Sequence, residues 1–349
     1  MDTPITAPLD PTPVQGWRDP GVLWLLASAA GFGAMAIFAK LAYAGGLTLA
    51  TLLATRFGLA AILMWVLVLS RRGYRRLPGR TLLGLLAMGG IGYVGQSFAF
   101  FTALQTVSAA TTALLLYTYP ALVTLLAWLV FRHPLTRASM GALALASLGC
   151  ILVLGGPDAL PGQVADPVGL GWALGAAVVY ALYIIAGTHV TAGVPPLLAG
   201  TYIITAAAVV YGGAGLAGNT LDFAVSPGGW VAVVAIAVIC TVLPIAGFVA
   251  GLARLGPGRA SILSTVEPVI TIALAALVLG ESVHPLQLIG GTLILSAALV
   301  VSRGGVTGPD PERQATASST AEPVLLTRPN ALRPVQRLTP PQATPILRA

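Results

Sequence analysis

Apolar residues in this chain fall into ten runs of about twenty, and none of the runs alternates with period two. They lie near residues 21–43, 47–69, 81–104, 107–130, 138–155, 168–188, 196–217, 228–253, 259–280 and 285–302. A hydrocarbon core ~30 Å thick needs roughly 20 apolar residues for one helical crossing. In lipid every backbone polar group must be paired within the protein, so only helices or closed barrels span it. Long, continuous runs without alternation favour helices. The pattern predicts an all-α integral membrane protein with ten transmembrane helices.

The last five runs repeat the first five. Pro120 and Pro268 sit at matching points, and their offset of 148 residues carries Phe32-Gly33 onto Tyr180-Ala181. The same offset sets Leu115-Leu116-Tyr117-Thr118-Tyr119-Pro120-Ala121-Leu122-Val123 opposite Leu263-Ser264-Thr265-Val266-Glu267-Pro268-Val269-Ile270-Thr271. Each proline is expected to bend its helix by removing a backbone hydrogen bond. Five crossings per half turn the second half over in the membrane, which predicts two inverted five-helix repeats. The domain reading is a cytoplasmic disordered N-terminus over 1–20 and a first repeat over 21–155. A second repeat over 168–302 and a disordered Pro/Arg-rich cytoplasmic tail over 303–349 complete it.

Composition excludes an ordinary soluble domain. Charged residues are 8% of the chain and hydrophobic ones 56%, against about a quarter charged in soluble domains. The net charge of +7 is carried by arginines in short loops and the tail, not by a basic face, so nucleic acid is not an expected partner. Those arginines set orientation. Arg71, Arg72, Arg75, Arg76 and Arg80 follow the second run, Arg132 and Arg137 the fourth, and Arg254 and Arg259 flank the turn after the eighth. The alternate loops lack Lys and Arg and carry Asp158, Asp166, Asp222 and Glu281. By the positive-inside rule both termini face the cytoplasm. The loop near His189 to Pro196 has neither Lys nor Arg and weakens the pattern slightly. The first twenty residues, with five prolines and three aspartates, do not read as a cleavable signal peptide.

From Leu255-Gly256-Pro257-Gly258-Arg259-Ala260-Ser261 through Glu267-Pro268 to Leu279-Gly280-Glu281 and Gly290 the chain resembles the EamA-type transporters of the drug/metabolite transporter superfamily. The resemblance spans about residues 21–302. The first half departs at the matching turn, where Arg132-His133 replaces Gly-Glu, and has Tyr119 where the second has Glu267. The resemblance implies ten helices and a central cavity lined mainly by helices 1, 3, 4, 6, 8 and 9. It also implies efflux of metabolites, amino acids or drugs across a bacterial cytoplasmic membrane.

Polar residues inside the runs are the candidates for chemistry. A midplane carboxylate such as Glu267 costs about 2.5–3.5 kcal/mol. Keeping it protonated at pH 7 from a reference pKa near 4.3 costs roughly 3.7 kcal/mol. The balance makes Glu267 a candidate for substrate contact or proton coupling, with a purely structural carboxylate as the alternative. Tyr93 with Gln96, and Tyr180 with Tyr183, are three apart and share helix faces. Tyr117 and Tyr119 bracket the Pro120 bend. These groups either line a polar cavity or bind helix to helix. Arg56 reads as a structural charge at a depth similar to Glu267. Lys40, the one lysine, reads as snorkelling or as drawing anionic groups inward. Trp24 reads as an interfacial anchor. Gly171 with Gly175, and Gly247 with Gly251, suit close helix packing.

No phosphate-binding glycine loop and no His-Glu-x-x-His occurs. The histidines His133, His189 and His284 do not form a metal-spaced set. Cys150 and Cys240 read as buried small residues. The chain is therefore expected not to be an enzyme and to need no cofactor or metal. Its expected partners are the lipid bilayer and a small-molecule substrate, an amino acid or similar amphipathic solute, with any coupling drawn from a gradient of protons, of another ion or of the substrate itself. A sugar-type or other metabolite permease is the alternative; a scaffold using the tail, or an enzyme of lipid-linked substrates, are the other classes.

Overall fold

The computed structural model describes residues 19–131, 136–154 and 166–304. Arg132, His133 and Asp158, the first eighteen residues and the tail beyond 304 lie outside the described residues.

Among the described residues the structure is all helical, with no strand. In the first half, α1 (Pro20–Gly33) and α2 (Met35–Ala44) meet at Ala34, and α3 (Leu49–Ser70) follows. A π-helical turn at Met88–Tyr93 joins α4 (Gly79–Ala87) to α5 (Val94–Thr106). Next come α6 (Ala109–Leu116), α7 (Tyr119–Phe131) and α8 (Arg137–Leu154). The second half has α9 (Pro167–Val190), α10 (Pro196–Ala217) and α11 (Pro227–Ala237). A π-helical turn at Val238–Val242 leads to α12 (Leu243–Ser264), followed by α13 (Glu267–Leu279) and α14 (Pro285–Gly304). Among the described residues nine stretches are long and apolar enough to cross a membrane, from Pro20–Ala44 to Gly258–Leu279. The tenth, Pro285–Val301, is shorter, about 25 Å at 1.5 Å per residue. Among the described residues nine of the ten expected crossings thus meet that length, and the tenth run falls on α14.

The helix starts follow ordinary capping chemistry. The side chains of Asp19, Thr48, Ser108, Asp166 and Ser226 each accept a backbone N–H from the first turn that follows. Pro20, Pro167, Pro196 and Pro227 stand at the beginnings of α1, α9, α10 and α11, where an N–H has no partner to lose. Gly256, at φ 75 inside α12, turns the chain, so one crossing runs into it and the next leaves at Gly258.

Pro120 and Pro268 do not bend continuous helices. Each is the second residue of a new segment, α7 and α13, after a break at Tyr117-Thr118 or Thr265-Val266. A proline at that position costs no intrahelical bond, so the chain breaks before the ring instead of bending around it. The two breaks lie at corresponding points, and so do the two π turns.

Packing repeats under exchange of the halves. α1 packs on α12 and α2 on α11, while α5 packs on α9; α6 and α7 pack on α9, while α1 and α2 pack on α13. α3 with α10, α6 with α13 and α8 with α14 pair each half with its own counterpart. α8 and α14 touch backbone to backbone, since a Cβ on Gly290 would lie 2.6 Å from the Gly149 carbonyl oxygen. Gly247 and Gly251 lie as close to Trp24 and Leu25 of α1. Gly171 and Gly175, expected to do the same, have no atom within 4 Å of such a Cβ, so that face of α9 is not packed on a neighbouring helix.

Charge separates by end. Arg75 donates to the Gly193 carbonyl, joining the α3–α4 and α9–α10 loops. The arginines between residues 71 and 80, with Arg137, Arg254 and Arg259, are all exposed. At the other end Ser226 binds the Gly45 carbonyl, the Asp222 N–H reaches Thr51 at 2.8 Å, and Glu281 meets the start of α6. Trp24 is exposed near the start of α1. Both cysteines lie in helices, Cys240 buried and Cys150 half-buried.

Candidate functional site

The two helix breaks face one another. A Cβ on Gly33, where α1 gives way to α2, would lie 2.8 Å from the Glu267 carbonyl oxygen; glycine lets that break approach the start of α13. Thr271 fastens the approach, donating to the Gly33 carbonyl at 2.8 Å. From the other side Tyr117 crosses to α12 and α13. Its hydroxyl lies 2.8 Å from the Ser264 carbonyl oxygen and 3.0 Å from Glu267 Oε2.

A phenol has one proton, so Tyr117 cannot donate fully to both acceptors. If Glu267 carries a proton it donates to the phenol oxygen, and the phenol donates to Ser264. If Glu267 has lost that proton, the Ser264 carbonyl and the carboxylate compete for a single hydrogen. The arrangement therefore ties the hydrogen bonding of a helix break to the protonation of one carboxyl.

Five predicted tyrosines form one contiguous row. Ring centroids are 5.8 Å apart for Tyr117–Tyr119, 4.7 Å for Tyr119–Tyr180, 6.1 Å for Tyr180–Tyr183 and 5.9 Å for Tyr183–Tyr93. The row continues through Phe57, 5.5 Å from Tyr93, to Tyr211, stacked at 5.4 Å. Of the candidate residues, Tyr93, Tyr180, Tyr183, Gln96 and Lys40 line neither of the two cavities beside the row. Gln96 is half-buried and receives Ser97 Oγ at 3.4 Å; Lys40 is half-buried near the Ala44 end of α2.

The larger cavity holds about 140 Å³. Tyr117, Tyr119, Ser261, Ser264 and Thr265 give it hydroxyls, and Pro120, Val123, Ile184, Ala298 and Val301 give it apolar walls. That is below the 300–1,000 Å³ usual for drug-sized ligands and suits a small solute. A smaller space of about 20 Å³, room for about one water, lies beside Glu267 among Phe32, Ala36, Phe100, Ala113, Leu116, Tyr117 and Thr271. These walls come from the first, third, fourth, sixth and ninth crossings, as expected, and from α14, with none from α11 or α12's first part.

Arg56 stands apart from Glu267. It is 1% exposed, and its guanidinium carbon lies 4.6 Å from the Phe57 ring centroid and 4.8 Å from that of Phe101. Nε reaches Thr241 Oγ1 at 3.3 Å, and Nη1 has no hydrogen-bond partner. Two ring faces and the hydroxyls of Tyr93 and Thr241, not a carboxylate, hold this charge, and the hydroxyls link α3 to the two π turns.

Sequence reasoning overlooked Ser261, Ser264 and Thr271, since hydroxyls in apolar helices give no distinct signal. It also passed over Phe57 and Tyr211, whose spacing to Tyr93 is visible only once the helices pack. Among the described residues no group of three or more His, Cys, Asp or Glu is placed to hold a metal.

Comparison with known proteins gives the context. The chain is 30% identical to the transporter YcbK of Bacillus subtilis (strain 168) over 281 residues, covering 77% of this chain and 88% of that protein. It is 30% identical over 212 residues to the threonine/homoserine exporter RhtA of Escherichia coli (strain K12), covering 60% of this chain and 68% of RhtA. One solved crystal structure of a protein shares the fold at a TM-score of 0.57 and 20% identity, covering 80% of this chain and 95% of its own. Residues 19–155 and 167–303 each match the EamA-like transporter family, so this multi-pass membrane protein belongs to that family.

Proposed function

We propose that the chain is a secondary transporter that exports a small amino acid or a related amphipathic compound by alternating access between two inverted five-helix repeats. The tenth crossing is α14, and both termini face the cytoplasm of a bacterial cell. The observation that carries the reading is the Glu267–Tyr117–Ser264 junction, set where two broken helices meet between the family's two halves. Broken helices near the midplane supply free backbone groups and a carboxyl to a solute and a coupling ion. The exchange symmetry of the packing and the matching breaks support rocking of one repeat against the other. The size of the cavity and the similarity to a threonine/homoserine exporter support the substrate class.

In this mechanism solute enters the hydroxyl-lined cavity, and Glu267 gains or loses a proton as the repeats change partners. Losing the proton turns Glu267 into an acceptor that competes with the Ser264 carbonyl for the Tyr117 hydrogen, and so loosens the α6–α7 break against α12. The test is counterflow in proteoliposomes with labelled threonine, homoserine and a hexose, with and without a pH gradient. Amino-acid counterflow that responds to the gradient, and a loss of that response in Glu267→Gln at normal protein levels, are expected. Hexose counterflow alone favours the sugar permease, and a gradient response kept by Glu267→Gln removes the coupling role.

A further inference from the structure

We infer that the 280–287 turn is a latch that holds one end of the transport route shut; the inference rests on the alternating-access reading and deepens it. Glu281 reaches from the turn after α13 to the first turn of α6. Its Oε1 accepts the Ala109 N–H at 2.8 Å and its Oε2 the Ala110 N–H at 3.2 Å. These donors have no partner within the helix, and the Ser108 cap is already committed to Thr111. A carboxylate on two such N–H groups makes charge-assisted bonds at the positive end of the helix. Alongside, Gln287, 2% exposed, donates to Thr111 Oγ1 at 2.8 Å and accepts the His284 N–H at 3.1 Å. Gly280, left-handed at φ 68, aims the turn, and the Glu281 N–H is tied to the Ala275 carbonyl at 3.1 Å. Every contact from Glu281 and Gln287 to α6 joins the second half of the chain to the first.

The sequence does not repeat these donors and this acceptor at the opposite end. The 148 offset places Pro257 where Ala109 stands and His133 where Glu281 stands. Proline has no N–H to give, and an imidazole cannot accept two bonds side by side as a carboxylate does. Arg259 and Ser139 occupy the places of Thr111 and Gln287. The 140 Å³ cavity lies on this unlatched side, running from the helix breaks toward Val123, Ser261 and Val301. Two ends related by duplication are therefore unequal. The Glu281 end is clasped by a pairing that the sequence does not repeat at the arginine-bearing end, where the described contact between the halves is Arg75 to the Gly193 carbonyl, and the protein rests with the cavity offered to the arginine side. Releasing α6 from the 280–287 turn is the step that opens the Glu281 side.

The test reads the gate without any substrate. In full-length chain carrying Cys150→Ala and Cys240→Ala, a single cysteine replaces Ala113, one turn from Tyr117 toward the latch. A parallel protein carries its cysteine at Val123. Both are labelled in membrane vesicles with a polar maleimide added from the Glu281 face. Glu281→Gln should speed Ala113→Cys labelling about tenfold or more, as loss of a charge-assisted contact implies. Ala109→Pro removes one donor at a helix position that tolerates proline, and should act in the same direction. Labelling of Val123→Cys from the arginine face should slow in both. Unchanged Ala113→Cys labelling in both variants, at native yield and native Val123→Cys labelling, overturns the latch. If Glu281→Gln fails to accumulate, Ala109→Pro decides. Because no solute is involved, the latch can fail while counterflow succeeds, and the reverse.

Discussion

Arg56 can be replaced by an apolar residue more safely than by another cation. A charge at the bilayer centre costs about 2.5–3.5 kcal/mol on insertion scales. Against this stand two desolvated ring contacts at 4.6 and 4.8 Å, about 2 kcal/mol each. The Thr241 bond at 3.3 Å is long and adds about 1 kcal/mol, while the unpaired Nη1 subtracts about as much. The balance is a small net gain. Arg56→Met gives up that gain and fills the space with apolar surface, so its stability should lie within about 2 kcal/mol of the native protein. Arg56→Lys keeps the burial cost and loses the planar fit to both rings, leaving three ammonium donors near the hydroxyls of Tyr93 and Thr241. It should be the less stable by about 3 kcal/mol. Thermal unfolding in lipid nanodiscs, with yield as a second readout, should rank the proteins native, then Met, then Lys. A Met variant clearly worse than the Lys variant refutes the reasoning, because that order requires an anion beside residue 56.

Gly290→Ala drives a methyl to 2.6 Å from the Gly149 carbonyl and should lower thermal stability by about 1–3 kcal/mol. Gly171→Ala meets nothing within 4 Å and should be neutral or stabilising by about 0.5–1 kcal/mol. Tyr117→Phe keeps the ring row but removes the bond to Ser264; counterflow should slow, whereas Tyr183→Phe, in the same row, should leave the rate near native. Asp166 lies outside the crossings, and bonds from Thr106 and the Val168 N–H hold its carboxyl below the usual range. Its folded-state value is the lower one, so its contribution is complete above the unfolded value near 3.9 and is lost only as pH falls below it. The stability gap between native protein and Asp166→Ala should therefore stay constant between pH 7 and 5 and shrink below about pH 4 in thermal scans.

The positions of the apolar runs were legible because hydropathy reports burial in lipid directly, and each run falls on a helix or a pair of segments. The interruptions were not. A π turn at Met88–Tyr93 changes backbone pairing without changing side-chain polarity, so Met-Gly-Gly-Ile-Gly-Tyr reads like its neighbours. Pro120 and Pro268 marked the right places, but a proline in sequence does not distinguish a bend from a fresh start. Tyr93, Tyr117, Tyr119, Tyr180 and Tyr183 were found because phenols stand out in apolar helices. Gln96 and Lys40 stood out as strongly and, like Tyr93, Tyr180 and Tyr183, line neither cavity, since polarity gives depth but not azimuth. Glu281 was read only as a loop acid; its partners on α6 are 171 and 172 residues away in sequence.

One asymmetry bears on how such a protein can change. The first crossing carries an elbow at Ala34, while its counterpart α9 runs as an unbroken strut from Pro167 to Val190. Duplication supplied two equal pieces, and later divergence made one of them jointed and the other stiff. A gene rebuilt from two copies of residues 167–303 would encode two struts and no joint in the leading crossing of either half. The halves have ceased to be interchangeable, and swapping them would cost motion before it cost folding.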